Sequence, residues 1–139
     1  MTKNLDDGLL VDRIQSDRNG ETHFSKCHIP MPRASAVAGV FGSNEIASKN
    51  VTFWDFPAGI DVLGARPPGP QFVVFLFGEI KVTVSNGESR SFRSGDMVLA
   101  TDSGPGKGHR TQTIGGAARV LYIPLDDDTD LDAWTISGL

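Results

Sequence analysis

The sequence predicts an all-β fold, a sandwich or small barrel, from three observations. Sixteen glycines and eight prolines are scattered between short apolar runs instead of clustering in one segment, which is how a chain of many turns is punctuated. The apolar runs recur roughly every 8–12 residues, the spacing of antiparallel strands in sandwiches and barrels. The stretch "EIKVTVSNGESRSF" alternates Ile80, Val82 and Val84 with Lys81, Thr83 and Ser85 and then reads Asn86-Gly87, the strongest short signal for a hairpin with a two-residue turn.

Taken in order, Glu21 to Pro30 mixes polar and apolar residues as an edge strand does, and Pro30 and Pro32 close it because proline cannot donate to a ladder. "SAVAGVFGSNEIA" is ambiguous. Lys49 to Gly59 alternates β-branched and aromatic residues and stops at Pro57-Ala58-Gly59, a strand by composition and length. Leu63 to Pro70 is a loop stiffened by Pro67, Pro68 and Pro70. "QFVVFLF", Gln71 to Phe77, is apolar on both faces and predicts the central strand, ending at a one-residue corner, Gly78. A short strand follows in "RSGDMVLA", another in "GHRTQTI", and a last apolar strand in Ala117 to Leu125. The tail near Trp134 predicts a short helical turn or an arm.

At 139 residues the chain matches one ordinary domain, large enough to bury a core without staples. The expected organisation is a single domain over 1–139 with its core at about 49–125, an N-terminal strand or arm over 1–48 and an acidic tail over 126–139. Cys27 is the sole cysteine and closes no intrachain disulfide, which suits a reducing compartment. No apolar stretch is long enough to span a bilayer, and the N-terminus is acidic where a signal peptide is basic, so a soluble cytoplasmic protein is the expectation. The net charge of −4 gathers in Asp126, Asp127, Asp128, Asp130 and Asp132, leaving 12 acidic against 13 basic residues elsewhere. With no basic stripe to meet phosphates, the composition argues against nucleic acid as a partner class. "GPGKGHRT" lacks the spacing and the following Ser or Thr of a phosphate loop.

Two corners carry a family signature: Gln71 followed by six residues and Gly78, and "SGDMVLATDSGPGKGHRTQ" with a Gly-Asp corner and then Gly108-His109. Over roughly Phe53 to Leu125 the chain resembles the cupin superfamily, in particular small single-domain members. The resemblance implies an all-β cupin jelly roll, a double-stranded β-helix barrel, with a ligand site in its open mouth. Typical members hold a divalent metal with two histidines and a glutamate or glutamine from the first corner and one histidine from the second. Gln71 and His109 fall at two of those positions. The histidines of the first corner are missing, since Gly64, Ala65, Arg66 and Pro67 occupy their window. One histidine and a neutral amide fall short of the three or more ligands a catalytic transition metal wants, so the expected site holds no metal and no cofactor. His23 and His28 have opposite parity in a strand, so at most one of them can face His109, and both are read as surface histidines.

His109 is the leading candidate for chemistry, because an imidazole exchanges protons near neutrality without a metal, and Gln71 is the neutral partner that positions a substrate oxygen. If Gln71 faces inward, period two sends Val73, Phe75 and Phe77 inward too, and Phe72, Val74 and Leu76 outward. Thr111 and Thr113 share the face of His109. Arg66 is a possible anion anchor, while Arg110 points away by parity. Trp54 or Asp55, but not both, faces the pocket, and Tyr122 is either a core ring or a proton donor. The outward Phe72, Val74 and Leu76 suggest a homodimer, which small cupins also form. The expected function is metal-independent acid–base chemistry (isomerisation, cyclisation or dehydration) on an apolar small molecule, in the specialised metabolism where small cupins often serve. The alternatives are a non-catalytic small-molecule binder, or a metal-dependent dioxygenase built on His109, Gln71 and one outside histidine.

Overall fold

The computed structural model describes residues 8–136. Ten strands form: β1 (Leu9–Ser16), β2 (Thr22–Ile29), β3 (Arg33–Ala34), β4 (Phe41–Gly42), β5 (Thr52–Phe56), β6 (Asp61–Ala65), β7 (Gln71–Val84), β8 (Ser89–Phe92), β9 (Met97–Ala100) and β10 (His109–Pro124), followed by a 3-10 turn at Leu131–Trp134. The main sheet runs β2-β1-β9-β7-β10-β5, with β6 also on β10 and β8 also on β7; β3 and β4 pair only with each other. All contacts but one in this sheet are antiparallel, the exception being β1 on β9.

The barrel closes because its two longest strands each serve two walls. The first half of β7 pairs with β9 and its second half with β8. The second half of β10 pairs with β5 and its first half with β6. Both strands turn the corner together, where the β7–β10 register breaks between Ile114 and Arg119. Gly78 sits at this corner with φ +78°, and a Cβ there would meet the Ala117 carbonyl oxygen at 2.3 Å and Ala118 Cα at 2.7 Å. Only glycine satisfies both the positive φ and the close approach. The glycine corner is therefore a bend inside one continuous strand, and "GHRTQTI" and Ala117 to Leu125 are likewise two halves of β10. The result is an all-β jelly-roll barrel.

The corner also resets which residues face inward. Gln71, Val73 and Phe75 point to the interior before Gly78, and Ile80 and Val82 after it. Phe77 is a correction to the expected inward face: the bend turns it outward, 42% exposed, with the Arg119 guanidinium 5.2 Å from its ring centre. The Asn86-Gly87 hairpin forms as β7–β8 with a three-residue loop. Val84 N–H donates to the Glu88 carbonyl, Gly87 N–H donates to the Val84 carbonyl, and Glu88 N–H donates to Asn86 Oδ1. Asn86 does not take the positive φ that a two-residue type I′ turn requires, and Gly87 alone supplies it.

Two buried clusters lie on either side of the sheet. The interior one includes Ile14, Phe24, Phe75, Ile80, Val82, Phe92, Val98 and Val120. The outer one gathers Val11, Cys27, Ile29, Phe72, Leu99 and Leu125, with Trp134 packed on it. Phe72 faces outward as expected, but its cover is intramolecular: it is 6% exposed under the stacked Trp134 ring, 6.0 Å away. Leu76, with Phe53 and Phe77, stays open. The period-two alternation of β1 and β2 puts each strand in both clusters, Ile14 and Phe24 inward and Val11, Cys27 and Ile29 outward. The barrel thus takes in residues from Leu9 onward, wider than the expected core of 49–125. No helix among the described residues is long and apolar enough to cross a membrane.

Candidate active site

A cavity of about 390 Å³ opens inside the barrel, within the size range of small-molecule sites. The interior is therefore not simply filled by its own side chains. The inward residues of β7 and β10 supply Gln71, Val73, Phe75, His109, Thr111, Val120 and Tyr122. β5 alternates so that Thr52, Trp54 and Phe56 face the cavity while Asp55 turns out to a two-pronged ion pair with Arg119, at 2.6 and 3.1 Å. That settles the choice between Trp54 and Asp55. Trp54 donates its indole N–H to Thr52 Oγ1 at 2.9 Å and lies 6.2 Å, ring to ring, from Tyr122. Burial pushes the Tyr122 phenol above its ordinary value.

His109 begins β10, paired with Val84 on one side and Ala65 on the other. Its Nδ1 lies 2.6 Å from Oδ2 of Asp102, whose side chain is fully buried. An ionised carboxylate only accepts, so against it Nδ1 carries the hydrogen, which in the neutral imidazole leaves the lone pair on Nε2; the ring lines the cavity. Asp102 was missed by the sequence reading. It lies seven residues before His109 across a loop containing Gly104, Gly106 and Gly108, where no strand or helix period connects two positions. The available signal was the loop itself: glycines that let the chain double back between β9 and β10 bring an acid and a histidine face to face. Gly108 makes the approach possible, since a Cβ there would meet the Ala65 carbonyl oxygen at 2.4 Å.

Gln71 joins the same end of the cavity. It pairs with Ala100 across β7–β9, two residues before Asp102, and follows the 66–70 loop that leaves Ala65, the partner of His109. Arg66 lines the cavity but donates to the Gly104 carbonyl at 2.9 Å and the Gly106 carbonyl at 3.4 Å, pinning the two rim loops together. Pro67 and Pro68 also line the rim. Arg110 points away from His109, as parity predicts, and clasps Asp61 at 2.8 and 2.6 Å. Thr113 leaves the site: its hydroxyl donates to the Pro57 carbonyl and accepts from Ile60 N–H, holding the β5–β6 turn. Ile14, contributed by a strand the sequence reading did not draw, completes part of the wall. His23 and His28 do not line the cavity. Among the described residues no three His, Cys, Asp or Glu side chains converge as a metal would need. The donor set at the barrel mouth is one imidazole already committed to Asp102 through Nδ1, and one neutral amide. It does not fit a resident divalent metal.

No family model matches the chain, and no curated protein matches it. Among solved structures, it is similar to a cupin superfamily protein from Desulfitobacterium hafniense (18% identity, 70% of this chain and 94% of that chain covered, TM-score 0.42). It is also similar to a protein from Neisseria meningitidis (17% identity, 64% and 90%, TM-score 0.39) and to a proposed ethanolamine utilization protein from Salmonella typhimurium (14% identity, 87% and 98%, TM-score 0.41). The likeness to all three is distant. With TM-scores below 0.5 it says nothing about the site, and the barrel assignment stands on the strand order and registers above.

Proposed function

We propose that this small cupin-type barrel binds an apolar organic molecule and moves a proton on it without a metal, with His109 Nε2 as the base. The observation that carries the reading is the buried Asp102–His109 pair at one end of a mostly apolar cavity. Asp102 fixes the imidazole's orientation and tautomer and steadies the imidazolium that forms when Nε2 takes a proton. His109 is the catalytic residue and Asp102 a positioning residue. Apolar walls exclude water, which strengthens electrostatic effects inside. Isomerisation, cyclisation and dehydration all begin with such a proton transfer, and specialised metabolism is where such substrates would arise.

The test starts from protein purified from its native host, with co-purified small molecules identified by native mass spectrometry and then supplied as substrate. His109→Ala is expected to slow turnover by about 10²–10⁴ while leaving affinity within severalfold, the usual worth of a positioned proton-transfer group. A variant that changes affinity alone would make the protein a binder. Elemental analysis is expected to find well under one metal per chain; one tightly held metal whose removal abolishes turnover would overturn the metal-independent mechanism.

A further inference from the structure

Gln71 is a polar group in an apolar wall with nothing to bond. It is 7% exposed and lines the cavity, and among the described residues no group hydrogen-bonds its amide. A primary amide carries two donors and an acceptor, and here they open into the cavity with no protein group to meet them. Such a group in a native fold calls for an explanation, and a ligand that completes it is one. The charges around the cavity narrow that ligand further. No carboxylate lines the cavity, and Arg66 already donates to two loop carbonyls. A cationic substrate would therefore find no counter-charge, whereas Arg66 at the rim keeps its own, since carbonyl oxygens do not neutralise a guanidinium.

Resting on the acid–base role of His109, we infer that the substrate is a ring-sized carbonyl compound that carries no positive charge. Its oxygen accepts a hydrogen bond from the Gln71 amide, and the carbon beside the carbonyl faces His109 Nε2. Nε2 removes a proton from that carbon; the C–H pair becomes the C=C bond of an enolate, and the carbonyl π pair moves to the oxygen that Gln71 holds. Return of the proton from Nε2 to the same carbon gives exchange, and return to the far end of a conjugated system gives an isomer. No electrons leave or enter. The cavity volume equals roughly a dozen waters at ~30 Å³ each, which is room for a bicyclic ring system beside Trp54 and Tyr122.

The probe is 2-tetralone, with tetralin as the same rings lacking the oxygen. In D₂O the protein is expected to bind 2-tetralone well above tetralin by calorimetry and to speed deuterium uptake at the carbon between ring and carbonyl. Gln71→Leu is expected to weaken 2-tetralone roughly 10- to 100-fold and leave tetralin unchanged. The same variant, free of ligand, is expected to melt no lower, because the amide makes no hydrogen bond within the protein and leucine adds apolar area to the wall; a glutamine that held the fold together would melt lower when replaced. Equal affinity for the two probes, no measurable binding of 2-tetralone, or unchanged 2-tetralone affinity in Gln71→Leu would overturn the inference. Gln71-dependent binding with no exchange above buffer would sink the acid–base role of His109 and keep the oxygen contact. Exchange that requires His109 but not Gln71 would do the reverse.

Discussion

Replacing Asp102 by asparagine separates what this residue does for stability from what it does for the imidazole. The wild-type bond, Nδ1 to Oδ2 at 2.6 Å with the carboxylate fully buried and the imidazole 12% exposed, is charge-assisted and contributes about 1.5–3 kcal/mol net. Against it stands Oδ1, buried with no hydrogen-bond partner, at a cost of about 1–3 kcal/mol. Asparagine keeps the shape, accepts from Nδ1 with its carbonyl oxygen and places its NH₂ where Oδ1 was. The NH₂ finds no more of a partner there than Oδ1 did, so that cost carries over, and the lost charge assistance is set against the removal of a buried charge; we expect a loss of about 1–2 kcal/mol, short of the ~3–5 kcal/mol lost when one half of a buried pair is removed. The tautomer responds differently. Without the carboxylate's charge, hydrogen on Nδ1 loses its advantage over hydrogen on Nε2. Long-range ¹H–¹⁵N spectra resolve this directly, since the chain has only His23, His28 and His109. At a pH well above the imidazole range the wild type should show Nδ1 protonated and Nε2 bare for His109, and Asp102→Asn should show a mixture. A protonated Nε2 in the wild type, or a loss above ~3 kcal/mol with the tautomer unchanged, would refute the positioning role.

Three further outcomes are expected. Tyr122 is the sole tyrosine, and its phenol is raised by burial; its stabilising contribution is full below the ordinary phenol value and is lost as pH rises through the folded one. Phenolate absorbance should therefore titrate above free tyrosine, and an ordinary midpoint would place the ring in water. Gly78→Ala drives a Cβ into the Ala117 carbonyl at 2.3 Å from a φ of +78°, so chemical denaturation should show a loss of at least ~2–3 kcal/mol, or no folded protein. A tolerated alanine would mean that the corner of β7 is not built as described. Phe53, Leu76 and Phe77 remain exposed on one outer face, and we expect this face to pair two copies; light scattering should give twice the 14.9 kDa chain mass, and a monomer at micromolar concentration would reject the pairing.

What the sequence determined by itself was local. Alternation in Ile80, Val82 and Val84, the Asn86-Gly87 turn and the glycine and proline punctuation encode strands and hairpins through backbone preferences, which need no distant partner. Within a strand the same period of two correctly set Gln71, Val73 and Phe75 on one face and His109 with Thr111 on another. It failed at Phe77, because the period is reset wherever the chain bends, and a bend that depends on Gly78 meeting Ala117 is a contact between strands 39 residues apart. β1 and β6 went undrawn for a similar reason: their mixed patterns are strands in the fold because β2 and β9 pair with the one and β10 with the other. The fate of Phe72 and Thr113 was also tertiary, one covered by Trp134 and the other spent on a turn. So was the Asp102–His109 pair. Its two members sit at the ends of different strands, and no periodicity relates them; only the folding back of the glycine loop, with β6 and β7 holding the other side, brings a buried acid within 2.6 Å of the imidazole.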